Sequence, residues 1–396
     1  MRFYLQMGHG MKTMCNDLRH IWSDISLIIS PQNIYPTDKL YSFADSMDKE
    51  ASSFLFDPQL YTPRIYQKNL QKHKYWPQTE FTNIEIGNCT NLLRELAAIN
   101  DRLQTEAFIL PSCITKEIDK RWGVIQEKIA EQGRKVSPTQ RTLLTIALGK
   151  DVLLDVNQIE KIIQYAELWD VDGIYLVCEH PEHSYLVNSS TWITGLLSLV
   201  AGIKRLEKEV IVGYANHQML PLVLARCDAI ASGNFLNVRW FQLDHFKTSD
   251  EKEPSRRSIW YYCPQVLSEF KITNLDVAHR SNILHSMVAP KQMLNNFSRI
   301  LFEGAMPSET NYKEKDSFKH YLHCLRIQCM SARKISYKKT MDAQIDQLEK
   351  ARRILQKFHT QGVKGQDRDF SEICNVNITA IQNFDEEYGF PMSQEW

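Results

Sequence analysis

The stretch EVIVGYANHQMLPLVLARCDAIASGNFLNVRWF, residues 209–241, decides the fold. It predicts a strand at Val210–Gly213, a helix at Gln218–Arg226 and a second strand at Asp228–Ala231. Both strands are short apolar runs without alternation, which is typical of parallel strands buried on both faces. The helix between them is long enough only to connect one parallel strand to the strand next to it in the sheet. The stretch is therefore expected to form one βαβ unit of a larger α/β fold.

Polar side chains follow the carboxyl ends of these two strands. The first group is Tyr214, Asn216 and His217, and the second is Ser232, Asn234, Asn237 and Arg239. Because α/β folds build their sites at this edge of the sheet, we expect a pocket there.

Six more short apolar runs precede this unit. Each is followed by a few polar residues and then by a stretch with helical periodicity. They are Phe3–Met7, Ile25–Ile29, Phe54–Phe56, Ala107–Leu110, Leu143–Ala147 and Ile174–Val177. Eight strands alternating with helices over about 240 residues match the count and length of a (β/α)8 barrel. We predict an α/β fold of the TIM-barrel type, and an open doubly wound sheet is the alternative.

The barrel is expected to occupy residues 1–245, with an inserted lid at about 58–84. The lid sequence LYTPRIYQKNLQKHKYWPQTEF is rich in aromatic and basic residues, which suits base stacking and phosphate contact or an aromatic lid that packs on the barrel. These residues are Tyr61, Tyr66, Tyr75, Trp76, Lys68, Lys72 and Lys74. Residues 246–281 are expected to be a linker and a return segment. Residues 282–396 are expected to be helical, with one long helix from Tyr337 to Phe358.

The bulk composition predicts a cytoplasmic globular protein. The chain has 396 residues, no formal net charge and a pI near 7.2, so no global field favours nucleic acid or an acidic membrane. Nine cysteines without paired spacing suit a reducing compartment. No long apolar window and no signal-peptide pattern are found in the sequence, so we expect no association with a membrane.

Two carboxylates stand immediately at predicted strand ends and are the best catalytic candidates. Asp57 and Glu179 are suited to acid, base or nucleophile roles, and His217 is the third candidate. The alternatives are that Asp57 caps the following turn, Glu179 pairs with a basic neighbour and His217 packs as a neutral side chain. If the two carboxylates lie in the same cavity at the end of the barrel, burial and mutual repulsion should raise the pKa of one of them.

The remaining strand-end polar residues are candidates for substrate binding. They are His9, Gln59, Ser112, His180, Asn216, Ser232, Asn234, Asn237 and Arg239. Arg239 is suited to bidentate binding of a phosphate or carboxylate, with a structural ion pair as the alternative. The motifs GxGxxG and GxxxxGK[ST] are absent, and neither the loop 179–183 nor the group His320, His323, Cys324 and Cys329 completes a zinc site. The sequence therefore predicts neither a metal nor a cofactor.

Residues 213–239, GYANHQMLPLVLARCDAIASGNFLNVR, resemble the late barrel segment of the tRNA-guanine transglycosylases and their DNA-modifying relatives. Asp228–Ala231 and Asn237–Arg239 stand at matching places. The resemblance implies exchange of guanine for a 7-deazaguanine base through a glycosyl-enzyme aspartate. Ala231 or Ser232 stands where that aspartate is expected, and Tyr261–Pro264 replaces the zinc motif of the family. The resemblance thus implies a divergent member, of the kind that accompanies 7-deazaguanine enzymes in phage-defence gene clusters.

Three functions follow from these observations. The first is a divergent transglycosylase-like enzyme acting on a nucleobase or an N-glycosidic bond in a nucleoside or nucleic acid. The second is a barrel without catalysis that binds a base or a protein partner within a defence complex. The third is a glycoside hydrolase that uses Asp57 and Glu179 as its carboxylate pair, roughly 5 to 9 Å apart.

Overall fold

The computed structural model describes residues 1–47, 51–62, 67, 69–77, 90–246 and 258–396. Within these residues, eight parallel strands form one sheet. They are β1 (Arg2–Gln6), β2 (Ile25–Ile29), β3 (Ser52–Phe56), β4 (Phe108–Leu110), β5 (Thr142–Leu148), β6 (Gly173–Cys178), β7 (Glu209–Val212) and β8 (Ala229–Ser232). The sheet therefore contains every strand that the sequence predicts.

The sheet curls into a nearly closed barrel, as predicted. Its spatial order is β3-β2-β1-β8-β7-β6-β5-β4, so the last strand pairs with the first, with Phe3 opposite Ile230. The two end strands approach each other at the N–H of Glu106, which donates to the carbonyl of Phe54 at 2.9 Å. The fold is the TIM-type barrel and not the open doubly wound sheet.

Ten helices of the described chain surround and extend the barrel. The first six are α1 (Met11–Arg19), α2 (Thr37–Asp45), α3 (Thr90–Leu103), α4 (Lys120–Val136), α5 (Val156–Leu168) and α6 (Ser190–Arg205). After the barrel come α7 (Ile272–Arg280), α8 (Glu314–Ala332), α9 (Tyr337–Thr360) and α10 (Ile373–Gln394). Several begin with a side-chain cap: the carboxylates of Asp119 and Asp155 accept backbone N–H groups at the starts of α4 and α5.

The connection between β7 and β8 differs from the prediction. The sequence predicts a helix at Gln218–Arg226, whereas the structure has a 3-10 helix at His217–Val223. Pro221 lies inside it and has no N–H to donate, which disfavours a continuous α-helical ladder. The side chain of Asn216 caps its start by accepting the N–H of Gln218 at 2.8 Å.

Side chains that alternate along the strands divide the core into two parts. Phe3 and Leu5 of β1 point outward to the helices, while Tyr4 points into the barrel. The barrel interior is closed by inward side chains from several strands, among them Ile28, Leu55, Ile109, Leu143, Tyr175 and Ile211. The barrel is therefore a packed core and not a pore.

Residues of the predicted lid pack at the carboxyl ends of the strands. A ring nitrogen of His73 lies 3.0 Å from the carbonyl of Pro31, and the hydroxyl of Tyr75 donates to the carbonyl of Pro58. Tyr61, Tyr75 and Trp76 are buried, which agrees with a lid that packs on the barrel. Residues 63–66, 68 and 78–84 of the predicted lid, which include Tyr66 and Lys68, lie outside the described residues.

The chain beyond the barrel folds against it. Residues 247–257 of the predicted linker lie outside the described residues, and the return segment forms a hairpin of β9 (Trp260–Cys263) and β10 (Ser268–Lys271). The predicted long helix is α9. The tail whose structure the sequence did not indicate forms α10, which packs on α6 and α9. Among the described residues, no helix is both long and apolar enough to cross a membrane.

Candidate ligand-binding cleft and barrel centre

An open cleft of about 680 Å³ lies beyond the carboxyl ends of β1 and β8. The barrel, the β9–β10 hairpin, α8 and the loop before α10 all line it. Four of the predicted substrate-binding residues meet there: His9, Asn234, Asn237 and Arg239. We refer to this cavity as the β8 cleft.

Asn234 joins the tip of β8 to the tip of β1. Its Nδ2 donates to the carbonyl of His9 at 2.8 Å, which fixes the orientation of the amide. Gly8 leaves room for this contact, because a Cβ at position 8 would collide with Oδ1 of Asn234. That oxygen is buried and has no hydrogen-bond partner among the described residues.

Two arginines converge on one carboxylate in the wall of the cleft. Arg239 and Arg368 each donate through Nη1 to Oε2 of Glu269, at 3.0 and 2.9 Å. The hydroxyl of Tyr185 donates to Oε1 at 3.2 Å. Arg239 also donates through Nε to the carbonyl of Gly233. Arg239 therefore forms the structural ion pair that the sequence left open as an alternative.

The arginine pair keeps Glu269 ionised although its side chain is only 3% exposed. Burial alone raises the pKa of a carboxyl, but Arg368 and Arg239 outweigh it and lower the pKa of Glu269 to about 2. Two cations share one anion here, so the Arg239–Glu269–Arg368 cluster carries a formal charge of one positive unit.

Aromatic rings cover the cluster and form flat walls. The guanidinium of Arg239 lies 3.5 Å from the ring centroid of Tyr321, and that of Arg368 lies 3.9 Å from Trp260. The rings of Phe235 and Phe318 meet edge to face at 4.7 Å. Trp260, Phe235 and Phe318 line the cleft and offer surfaces on which a planar ligand can stack.

Asp57 lies elsewhere, in the centre of the barrel. Its Oδ2 accepts from the hydroxyls of Tyr61 at 2.8 Å, Tyr214 at 2.9 Å and Tyr175 at 3.4 Å. Its Oδ1 accepts the N–H of Gln59 at 3.0 Å. Burial raises the pKa of Asp57 to about 6, and these hydrogen bonds only partly oppose it. A raised pKa was expected, but repulsion by Glu179 is not among its main causes.

Two strained residues hold this centre. Gln59 and Tyr214 have φ angles of 56° and 51°, in the left-handed region, which costs about 1–3 kcal/mol for a residue with a side chain. The side-chain amide of Gln59 donates through Nε2 to the hydroxyl of Tyr214 at 2.8 Å. Backbone strain of this kind clusters at functional sites. The strain next to Asp57 is therefore a second observation, besides its position at a strand end, that indicates a functional role.

An aromatic plug separates Asp57 from solvent. The rings of Tyr61, Phe241 and Phe246 pack edge to face or tilted, with centroids 5.0 to 5.6 Å apart. Asp57 is 1% exposed. The carboxyl is therefore enclosed beneath the plug.

The other two predicted catalytic residues are also buried. Glu179 accepts the N–H of Leu243 at 3.4 Å. His217 packs among the rings of Tyr262, Tyr321 and Phe370. Burial lowers the pKa of His217 to about 4, so its imidazole is neutral at physiological pH.

The remaining predicted binding residues serve packing and loop contacts. Ser112 accepts from Gln126, Asn216 donates to the carbonyl of Tyr185, and Ser232 is fully buried at the end of β8. His180 lies between the rings of Trp192 and Trp240. Burial lowers the pKa of His180 to about 4.

The sequence did not indicate Glu269, Arg368 or Trp260 as cleft residues. They follow the barrel in the chain, and the only signal was that segment 258–270 returns to an ordered, aromatic pattern after a charged loop. Within the described ranges, no group of three or more His, Cys, Asp or Glu side chains is arranged to hold a metal ion.

No family model, curated protein or solved structure matches this chain. The β8 cleft and the barrel centre are therefore the features of the molecule that indicate its function.

Proposed function

We propose that this barrel binds a nucleobase-containing ligand, with the base in the β8 cleft. The observation that carries the proposal is the meeting of Asn234 and Asn237 with the aromatic rings of Phe235, Phe318 and Trp260 in one open cavity. Side-chain amides offer both a donor and an acceptor to the edge of a base, and aromatic rings stack on its face. A volume of about 680 Å³ lies within the usual range for small-ligand sites.

The charges that line the cleft favour a base or nucleoside over a polyphosphate. Arg239, Lys271 and Arg368 supply three cations, and Glu269, Glu314 and Asp367 supply three carboxylates. The formal charges balance, so no strong field attracts a polyanion. Asn237 is half-buried in the lining of the cleft, so its side-chain amide is suited to meet the edge of the base.

The resemblance to the transglycosylases supports base recognition more than base exchange. Ala231 and Ser232 stand where that family is expected to carry its aspartate, and neither can form a glycosyl-enzyme ester. We therefore propose a divergent transglycosylase-like barrel whose function is base binding, with 7-deazaguanine compounds among the ligands to test. Its place in an anti-phage pathway stays a prediction.

A second candidate function is catalysis at the barrel centre. A pKa of about 6 suits Asp57 to proton transfer near neutral pH, and strained Gln59 and Tyr214 hold it. Catalysis would require the ring of Phe241 or Phe246 to move. A glycoside hydrolase needs two carboxyls that reach the substrate, and the enclosed position of Asp57 makes that third function the least supported.

Equilibrium dialysis with guanine, 7-deazaguanine, guanosine and adenosine tests the proposal. Asn234→Ala and Asn237→Ala should each weaken binding about tenfold, which corresponds to about 1.4 kcal/mol. Asn296→Ala is the matched control, because Asn296 lies on the surface outside the cleft. The proposal fails if the wild-type protein binds none of these ligands at millimolar concentration, or if both cleft variants bind like the control.

A further inference from the structure

A smaller cavity lies between α8, α9 and the turn of the β9–β10 hairpin, with a volume of about 330 Å³. Among the described residues, its lining shares no member with that of the β8 cleft. Phe318 of the β8 cleft and Gln328 of this cavity are ten residues apart on α8, which is about 15 Å along the helix. We refer to this cavity as the glutamine pocket, because five glutamines line it: Gln265, Gln292, Gln328, Gln344 and Gln347.

One of these glutamines occupies a core position of α9. The buried side of α9 follows helical spacing through Thr340, Gln344, Leu348, Ala351 and Leu355. Gln344 is 6% exposed, and its side-chain amide forms no hydrogen bond with the described part of the chain. An amide sealed in a core without a partner is costly. Gln344 avoids this cost because it borders the pocket, where a bound molecule can supply the partner.

Two further amides are held in fixed orientations. Gln328 accepts the hydroxyl of Tyr262 at 2.9 Å and donates to the carbonyl of Pro264 at 3.2 Å. Gln265 donates to the carbonyl of Ser286 at 2.9 Å. These bonds tie the turn of the hairpin to α8 and to the segment after α7. The walls of the pocket are therefore in place before a ligand binds, which lowers the cost of binding.

Both signs of charge stand at the mouth of the pocket. Asp346 and Lys350 are exposed, line the pocket, and form no hydrogen bond or ion pair with the described residues. They are four residues apart on α9, so their Cβ atoms are about 5–6 Å apart. Gln347 lies three residues from both Lys350 and Gln344, which places these side chains side by side on the helix. A carboxylate and an ammonium group carried by one carbon atom would each find a partner here.

The rest of the lining is largely apolar, and the space is small. Leu220, Pro264, Met293 and Ala332 contribute buried walls. The volume of about 330 Å³ is about half that of the β8 cleft and stands at the lower end of the usual range for small-ligand sites. The pocket therefore suits a molecule smaller than a nucleoside, with an apolar part beside its charged groups.

We propose that the glutamine pocket binds a free α-amino acid with an aliphatic side chain. Lys350 pairs with the carboxylate, and Asp346 pairs with the ammonium group. The amide of Gln344 donates to the carboxylate or accepts from the ammonium group, and the aliphatic side chain packs on the apolar walls. This zwitterion uses both charges at the mouth, whereas an anion alone would be repelled by Asp346 and a cation alone by Lys350. The inference does not depend on base binding in the β8 cleft.

Isothermal titration calorimetry of the full chain with L-leucine, L-methionine and L-valine at pH 7 tests the inference. Isocaproate is leucine without its ammonium group, and isoamylamine is leucine without its carboxylate. Each should bind at least about tenfold more weakly than L-leucine, because it leaves one charge of the pocket unpaired.

Three variants test the residues. Gln344→Leu should abolish binding of L-leucine. It should leave the unfolding midpoint unchanged or raise it, because leucine completes the apolar side of α9, whereas a structural role of the amide would lower the midpoint. Lys350→Ala and Asp346→Asn should each weaken binding about threefold, which is typical of an exposed ion pair. These two variants change exposed side chains, so they keep the test decisive should Gln344→Leu unfold.

Gln356→Leu and Lys357→Ala are the matched controls, because both residues are exposed on α9 outside the pocket. The inference is overturned if none of the three amino acids binds at millimolar concentration, or if the pocket variants bind L-leucine like the controls. Isocaproate or isoamylamine binding as tightly as L-leucine would overturn it as well. Guanosine should not displace L-leucine, so base binding without amino-acid binding would refute this inference and leave the proposed function standing.

Discussion

Replacing Glu269 with glutamine tests whether the Arg239–Glu269–Arg368 cluster holds the hairpin and the tail on the barrel. The substitution keeps the shape of the side chain and removes the one charge that buried Arg239 and half-buried Arg368 share. Breaking a buried ion pair by neutralising one partner costs about 3–5 kcal/mol. The pKa gives a similar magnitude, because a fall from the ordinary value of 4.5 to about 2 corresponds to about 3 kcal/mol of folding free energy.

Urea-induced unfolding at pH 7 measures this cost. Asp342→Asn is the matched control, because it breaks an ion pair with Lys338 on the surface, where the two side chains are 76% and 50% exposed. The control should lose less than about 0.5 kcal/mol. Glu269→Gln should lose about 3 kcal/mol or more.

The difference should also depend on pH. The folded-state pKa of Glu269 is lower than its unfolded value, so its contribution is full above pH 4.5 and is lost as pH falls towards 2. The gap between wild type and Glu269→Gln should stay constant from pH 7 to 5 and shrink below pH 4.5. A gap below about 1 kcal/mol at pH 7, or one that does not shrink in acid, would refute the reasoning.

Two further predictions concern the barrel centre. The pKa of Asp57 is about 6 in the folded protein and 3.8 ordinarily, so the contribution of Asp57 to stability should fall by about 3 kcal/mol as pH rises from about 4 through 6. Buried histidines such as His180 and His217 oppose this trend in the total, so the measured quantity is the difference in unfolding free energy between wild type and Asp57→Asn at pH 4 and 7. That difference should shift by about 3 kcal/mol in favour of the variant, and an unchanged difference would contradict the assignment. Gly213→Ala should destabilise the barrel by about 1–3 kcal/mol, because the added Cβ would collide with the hydroxyl of Tyr175. The same urea assay measures this loss, and a Gly213→Ala protein as stable as wild type would show that the close approach is wrong.

The barrel could be predicted because parallel strands covered by helices must be apolar on both faces. Runs such as Ile25–Ile29 and Leu143–Ala147 therefore stand out against the amphipathic helices between them. The position of strand ends also predicts proximity, and for that reason His9, Asn234, Asn237 and Arg239 meet in one cleft. The helix predicted at Gln218–Arg226 is a shorter 3-10 helix at His217–Val223, because Pro221 has no N–H to donate to a continuous α-helical ladder.

The rest of the site could not be predicted because its residues come from outside the repeating pattern. Glu269 lies on an edge hairpin and Arg368 in a loop, and an isolated charged residue in either setting is usually solvated. Asp57 was recognised at its strand end, but its enclosure depends on Phe241 and Phe246 folding back over the barrel. No local sequence signal reports such a long-range contact.

The order in which the ribosome delivers the buried cluster has a consequence for biosynthesis. Arg239 precedes Glu269 by 30 residues, and Glu269 precedes Arg368 by 99. At about 5–20 residues per second, those 99 residues take roughly 5 to 20 seconds to translate. Before Arg368 is made, all eight strands exist, and Arg239 can pair with Glu269 as a neutral couple once Glu269 has left the ribosome. In the nascent barrel the charges of Arg239 and Glu269 therefore balance before Arg368 is present. Docking of the tail then adds Arg368, and this step gives the wall of the cleft its positive charge.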